Sequence, residues 1–132
     1  MRRRSGLRAF AAGIAFVLAA ACFAQEPIDN CSSLLGSLSV ELRYSRNLAT
    51  SVRTTFVCPR DTRALLGASK QRIVNSLGPP DVAAAAAEGR SAAWSYYFAP
   101  KPEASYPAGV PELRFEFDQG LAVSRVSCER TR

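Results

Sequence analysis

Carboxylates and cysteines are the side chains of this sequence that could do chemistry, because the chain contains no histidine. Serine and cysteine nucleophiles of the histidine-activated kind, and metal sites built on histidine, are therefore excluded. Glu112, Glu116 and Asp118 could supply an acid and a base, as paired carboxyl groups do in glycosidases. Their alternation with apolar residues instead places them on the polar face of one strand, which is typical of a solvated surface. We predict a protein that is not an enzyme and uses no cofactor or metal.

The first 24 residues are typical of a secretory signal. Arginines at positions 2, 3, 4 and 8 precede an uncharged run from Ala9 to Ala21, which is shorter than the roughly 20 apolar residues of a membrane span. Cleavage after Ala24 leaves a soluble periplasmic protein, which we favour. The alternative is lipidation of Cys22, whose surroundings resemble a bacterial lipobox, and this would anchor the protein in the outer membrane.

Loss of the signal changes the charge argument. The net charge of +6 comes from 17 basic and 11 acidic residues, and the signal holds four of the arginines and no acid. The mature chain therefore carries 13 − 11 = +2. A phosphate backbone is bound by clustered surplus cations, so no nucleic-acid partner is predicted.

The segment 25–60 is predicted to be an N-terminal extension with a hairpin. Apolar residues alternate from Leu38 to Tyr44, and again from Val52 to Cys58, although leucines at 34, 38 and 42 also fit a helical stripe. Three cysteines remain after the signal, which permits one bridge in an oxidising compartment. The hairpin brings Cys58 near Cys31, so we predict a Cys31–Cys58 disulfide.

Two short helices are predicted next, each with clear end signals. Asp61 can cap the first, which Gly67 ends. Ser69 can cap the second, "KQRIVNSL", which Gly78 and Pro79 stop. A helix this short is unstable alone, so its apolar stripe must dock on the rest of the protein.

The C-terminal half supplies that surface as three antiparallel strands. Trp94, Tyr96 and Phe98 alternate in the first, and residues 112–118 give the clearest alternation of the chain. The "DQG" turn leads to a third strand whose alternation slips between Val123 and Val126, which predicts a bulge or a sheet edge. The fold class is therefore α+β: two short helices packed on a three-stranded antiparallel sheet, with an additional N-terminal hairpin. The domain is placed at 61–128, followed by a tail at 129–132.

Residues 62–127 resemble the SmpA/OmlA (BamE-like) domain family. The resemblance covers the start and stop of the second helix, the aromatic strand and the strand that ends at Asp-x-Gly. It is carried by Gly67, Ser69, Ile73, Val74, Leu77, Gly78, Pro80, Trp94, Tyr96, Phe115, Phe117, Asp118 and Gly120. The resemblance implies an αα-βββ sandwich in the envelope of Gram-negative bacteria. It also implies a role as an accessory of the machinery that inserts β-barrels into the outer membrane.

Aromatic residues outside the predicted core are the candidates for partner binding. Tyr97 lies on the opposite face to Trp94 and Tyr96, and Tyr106 lies in the proline-rich loop between the first two strands. Aromatic side chains and arginine are favoured interface anchors, so Tyr97, Tyr106 and Arg114 form the predicted protein-contact surface. We expect an exported, non-enzymatic protein that binds another envelope protein, with the β-barrel assembly machinery as the candidate. The alternative is a periplasmic or secreted inhibitor or binding module of the same architecture.

Overall fold

The computed structural model describes residues 29–49, 53–119 and 121–132, which form helices on one side of an antiparallel sheet. The predicted signal peptide, with Cys22 and the cleavage site, lies outside the described residues. The elements in chain order are α1 (Asn30–Arg46), a 3₁₀ turn (Arg63–Leu65), α2 (Lys70–Leu77), β1 (Val82–Ala84), β2 (Ala92–Tyr97), β3 (Pro111–Phe117) and β4 (Val123–Arg130). The strands are ordered β1-β2-β3-β4. The α+β class is confirmed, and the sheet has one strand more than predicted.

Helix α1 replaces the first strand of the predicted hairpin. Its buried residues are Cys31, Leu35, Leu38, Leu42 and Ser45, a spacing of three and four that matches the helical repeat. A strand would have buried Val40 and Tyr44, which are instead more than half exposed. The side chain of Asp29 caps the helix by accepting a hydrogen bond from the Cys31 amide at 3.1 Å. The hairpin prediction is therefore wrong, because the leucines continue a helical stripe that the core covers.

The other half of that predicted hairpin is also irregular in the structure. Residues 53–60 form no strand, and Val52 lies outside the described residues. Phe56 nevertheless enters the core and stacks on Phe98 with 3.7 Å between ring centroids. The segment thus contributes by side-chain packing rather than by strand pairing.

Helix α2 forms as predicted. The Ser69 hydroxyl accepts a hydrogen bond from the Arg72 amide at 3.1 Å, and Gly78 ends the helix at φ 79°, a conformation that glycine adopts without a side-chain clash. Ile73 and Leu77 are buried in the core. The first predicted helix is only the 3₁₀ turn Arg63–Leu65, where Asp61 accepts a hydrogen bond from the Arg63 amide.

Strands β2, β3 and β4 form the predicted meander. Trp94 lies opposite Phe115 and Tyr96 opposite Leu113, so the aromatic and aliphatic residues share the face covered by the helices. The predicted bulge is confirmed: Glu116 pairs with Arg125 but Phe117 pairs with Val123.

Strand β1 begins the alanine-rich stretch that follows Asp81. All three of its residues are exposed, and it pairs only with β2 in the sheet order. It is held at its start by the Asp81 amide, which donates to the Ser95 carbonyl at 2.9 Å. Position at the sheet edge, rather than burial, accounts for this strand.

The disulfide joins Cys58 to Cys128, at a sequence separation of 70. The predicted Cys31–Cys58 pairing is wrong, because it depended on a hairpin that the chain does not form. Cys31 is a buried free thiol in the first turn of α1, and burial raises the pKa of that thiol. The bridge instead ties the segment before the 3₁₀ turn to the core face of β4, where Cys128 lies opposite Leu113.

Candidate protein-contact surface

Tyr97 and Tyr106 form a stacked pair at the end of β2. Their ring centroids are 4.2 Å apart and their planes differ by 18°. Tyr97 is on β2, whereas Tyr106 is in the proline-rich loop that follows it, so the loop must fold back over the sheet. Both side chains are half-buried. The structure thus places in contact two residues that were predicted on separate grounds, and part of each side chain remains exposed to solvent.

A partly buried ion pair lies next to the tyrosine pair. The Arg46 guanidinium, at the end of α1, lies 2.9 Å from the Asp81 carboxylate, whose side chain is only 3% exposed. The second carboxylate oxygen of Asp81 accepts a hydrogen bond from the Tyr97 amide at 2.8 Å. Asp81 therefore links the end of α1 to β2, directly below the aromatic residue that begins the candidate surface.

The tyrosine hydroxyls have an environment that keeps them neutral. Burial, followed by the nearby Asp81 carboxylate, raises the pKa of Tyr106 to about 12. The pKa of Tyr97 is also raised, first by burial and then by the carboxylates of Glu112 and Asp81, while the Arg114 guanidinium acts in the opposite direction. At physiological pH both groups are hydrogen-bonding phenols, which suits contact with a protein rather than proton transfer.

Arg114 lies on the outer face of the sheet, which carries no helix. Ser95 is its partner on β2 and Ser127 its partner on β4, and its side chain is 44% exposed and 3.8 Å from the Glu116 carboxylate. Tyr97 and Arg114 are diagonal neighbours across β2 and β3, because Tyr97 pairs with Glu112. The three predicted residues thus share one side of the sheet, with the tyrosine pair at its end and Arg114 toward its middle.

The carboxylates considered for catalysis have structural contacts. The Ser95 hydroxyl donates to Glu112 at 2.6 Å, and the Ala122 amide donates to Asp118 at 3.1 Å in the turn before β4. Glu116 faces the Arg114 guanidinium. Within the described residues, no group of three or more metal-ligating side chains is assembled. The arrangement is that of a polar sheet surface.

A cleft of about 520 Å³ lies beside the tyrosine pair. Its lining combines residues just after the end of α2 with residues of the proline-rich loop between β2 and β3. It includes Pro80, Val82, Lys101, Pro102 and Thr131. Asp81 and Ser105 add further polar groups to the lining, so the cleft presents mixed polar and apolar surface beside the two aromatic rings.

Arg46 and Asp81 were missed by sequence reasoning. The acid follows directly after Gly-Pro-Pro, where it reads as an ordinary turn residue, and the arginine lies 35 positions earlier. A buried charge needs a partner, but no local pattern identifies one at that distance. Gly78 and Pro79, by contrast, were recognised as the stop of α2, and the change of chain direction there places Asp81 at the sheet.

Three comparisons with known proteins complete the description of the chain. Its sequence gives no significant match to protein families or to characterised proteins, and its structure gives none to solved structures. Among the helices of the described residues, none combines the length and the apolar character that crossing a membrane requires.

Proposed function

We propose that this chain is an exported, non-enzymatic protein of the bacterial envelope that binds another envelope protein through Tyr97, Tyr106 and Arg114. The observation that carries the proposal is the stacked tyrosine pair, which is half-buried beside the ion pair of Arg46 with the buried Asp81 carboxylate. Such a pair loses little conformational freedom when a partner covers it, because stacking has already fixed both rings.

The export part of the proposal has its own support. The Cys58–Cys128 bridge is of a kind that persists in the periplasm and is rare in the reducing cytosol. The signal-like first 24 residues agree with this assignment. The partner suggested by the resemblance to the SmpA/OmlA family is the β-barrel assembly machinery, and it is part of the proposal.

Site-specific photo-crosslinking tests the surface. A photoreactive phenylalanine analogue is placed at position 106 in cells that produce the full chain, and a second one replaces Tyr44. Tyr44 is a matched control, because it is an exposed tyrosine on α1, in the helical layer that covers the opposite face of the sheet. We expect one adduct from position 106 and none from position 44. An Arg114→Gln substitution, which removes the charge without placing a third carboxylate beside Glu112 and Glu116, is expected to reduce the adduct with little change in melting temperature.

The identity of the adduct separates the two candidate functions. A component of the β-barrel assembly machinery supports the accessory role. A soluble periplasmic enzyme supports the alternative of an inhibitor or binding module, which the cleft beside the tyrosine pair favours because it can accept a protruding side chain. Equal adducts from positions 106 and 44, or none from either, would refute the proposed surface.

A further inference from the structure

We propose that a second groove, lined by Arg53, Lys101 and Arg130, binds a short acidic peptide segment of the partner protein. This inference rests on the proposed function, since it assigns a partner chemistry to the surface next to the tyrosine pair. The groove and the cleft beside the tyrosine pair share Lys101 and Pro102 in their linings. A partner held at one is therefore within reach of the other.

The groove has apolar walls and a cationic rim. It has a volume of about 600 Å³, and both arms of the proline-rich loop contribute Ala99, Pro100, Pro102, Pro107 and Val110 to its lining. The three charged residues of the lining are all basic and all exposed, and the lining contains no acid. Charge complementarity thus selects an anionic occupant that also carries apolar groups.

The walls are held in place before any partner binds. On one side, the Thr54 hydroxyl forms a 3.1 Å hydrogen bond with Ser45 of α1. On the other, the Gly109 amide donates to the Thr131 carbonyl, and the Thr131 amide donates to the Val110 carbonyl, each at 2.8 Å. Arg130 donates to the Gly109 carbonyl at 2.5 Å. These hydrogen bonds fix the side of the groove at Thr54 and the side at Gly109 and Val110, which lowers the cost of ordering them on binding.

Several backbone positions of the loop have no amide to offer an anion, which gives the basic side chains the larger part in recognition. Prolines at 100, 102 and 107 have no amide hydrogen, and the amides of Gly109 and Val110 already donate to Thr131. The groove has flexible basic side chains around apolar walls. Each of these side chains can pair with a different carboxylate of a peptide, which favours several carboxylates spaced along one chain. The groove is also open to solvent, so the ends of a longer chain can leave it. A small organic acid would instead favour a site that encloses most of its surface.

The test is a fluorescence-anisotropy titration of the purified protein with labelled hexapeptides. The probe alternates aspartate and leucine, and the matched peptides alternate serine and leucine or lysine and leucine. We expect saturable binding of the acidic peptide alone, weakening as salt rises from about 0.02 to 0.15 M because exposed charges are screened. Arg53→Glu and Lys101→Glu are each expected to weaken it roughly fivefold to tenfold.

Arg125→Glu is the charge-matched control, because Arg125 is an exposed arginine on the outer face of β4 and is absent from the lining of the groove. It is expected to change the affinity less than about twofold. Four results overturn the proposal: no binding, equal binding of the serine peptide, equal weakening by Arg125→Glu, or full displacement by an equimolar amount of free hexanoate. The last of these identifies a small-acid site.

The two proposals fail separately. If the acidic peptide does not bind but the crosslink from position 106 is retained, the proposal for the groove is refuted and the proposal for the tyrosine surface stands. Retained peptide binding with no crosslink would refute the proposed contact of an envelope protein with the tyrosine pair. The groove would then remain as a peptide-binding site.

Discussion

Removal of the disulfide is the perturbation whose cost follows most directly from the structure. The bridge closes a loop of 70 residues, and the chain-entropy relation gives about 4 kcal/mol of stabilisation for a loop of that length. Small domains are stable by about 5–15 kcal/mol. The Cys58→Ala/Cys128→Ala variant is therefore expected to lose a large share of its stability and about 20 °C in melting temperature.

Urea unfolding followed by the fluorescence of Trp94 measures this loss. Trp94 is the single tryptophan, and it packs edge-on against Phe117 with 5.0 Å between ring centroids, so its emission reports the packing of the sheet. Dithiothreitol is expected to lower the unfolding free energy of the natural sequence by a similar amount, and to leave the double variant unchanged.

Cys31→Ala is the matched control. It removes a thiol that is outside the bridge, so the destabilising effect of dithiothreitol should remain about 4 kcal/mol. A loss below about 1 kcal/mol in the double variant would refute the entropic reasoning. Loss of the dithiothreitol effect in Cys31→Ala would refute the pairing itself.

Three further predictions concern the helix cap, the partly buried ion pair and the tyrosine hydroxyl. Ser69→Ala should destabilise the protein by about 1 kcal/mol, and Ser69→Gly by only a few tenths, since glycine is tolerated at a helix N-cap; chemical denaturation measures both, and equal losses would contradict a capping role. Arg46→Met should cost about 3 kcal/mol by leaving the Asp81 carboxylate buried without its cation, and Arg46→Met/Asp81→Asn should recover part of that loss; a double variant as unstable as the sum of the single variants would show that the pair is not coupled. The raised pKa of Tyr106, about 12 against 10.0 for a free tyrosine, stabilises the fold fully below pH 10, and this contribution is lost as pH rises from 10 to 12. Titration of the tyrosinate absorbance should show one late-ionising tyrosine fewer in Tyr106→Phe, while Tyr96 and Tyr97, whose pKa values burial also raises, still ionise late; an unchanged titration would contradict the assigned burial.

Elements set by local signals were predictable from the sequence. Helix α2 has a serine cap and a glycine stop, and β3 alternates without a break, so both were predicted close to their bounds. The bulge in β4 was visible because Val123 and Val126 cannot face the same side in a regular strand.

Elements set by long-range packing were not predictable. The leucines of α1 fit two periods, and only docking on the core decides between them. The alanines after Asp81 favour a helix by propensity, yet Val82–Ala84 form a strand because the neighbouring β2 offers a free edge. The disulfide pairing depended in turn on whether residues Asn30–Arg46 form a helix or one strand of a hairpin.

The candidate surface was likewise predictable only in part. Tyr97 and Tyr106 could be proposed from strand alternation and from the composition of the loop. Their stacking, and the Arg46–Asp81 pair beneath them, join residues from α1, β2 and two connections, and no sequence spacing specifies those contacts.

The position of Cys31 has a consequence for how the oxidised protein is reached. In an unfolded chain, the 58 − 31 = 27 residue interval closes about four times as readily as the native 70-residue interval, since closure probability falls as the three-halves power of length. Random oxidation therefore favours the wrong pair. Cys31 is buried only when α1 packs on the core. If that packing precedes oxidation, the competing thiol is withdrawn from solvent and the yield of correctly cross-linked molecules rises.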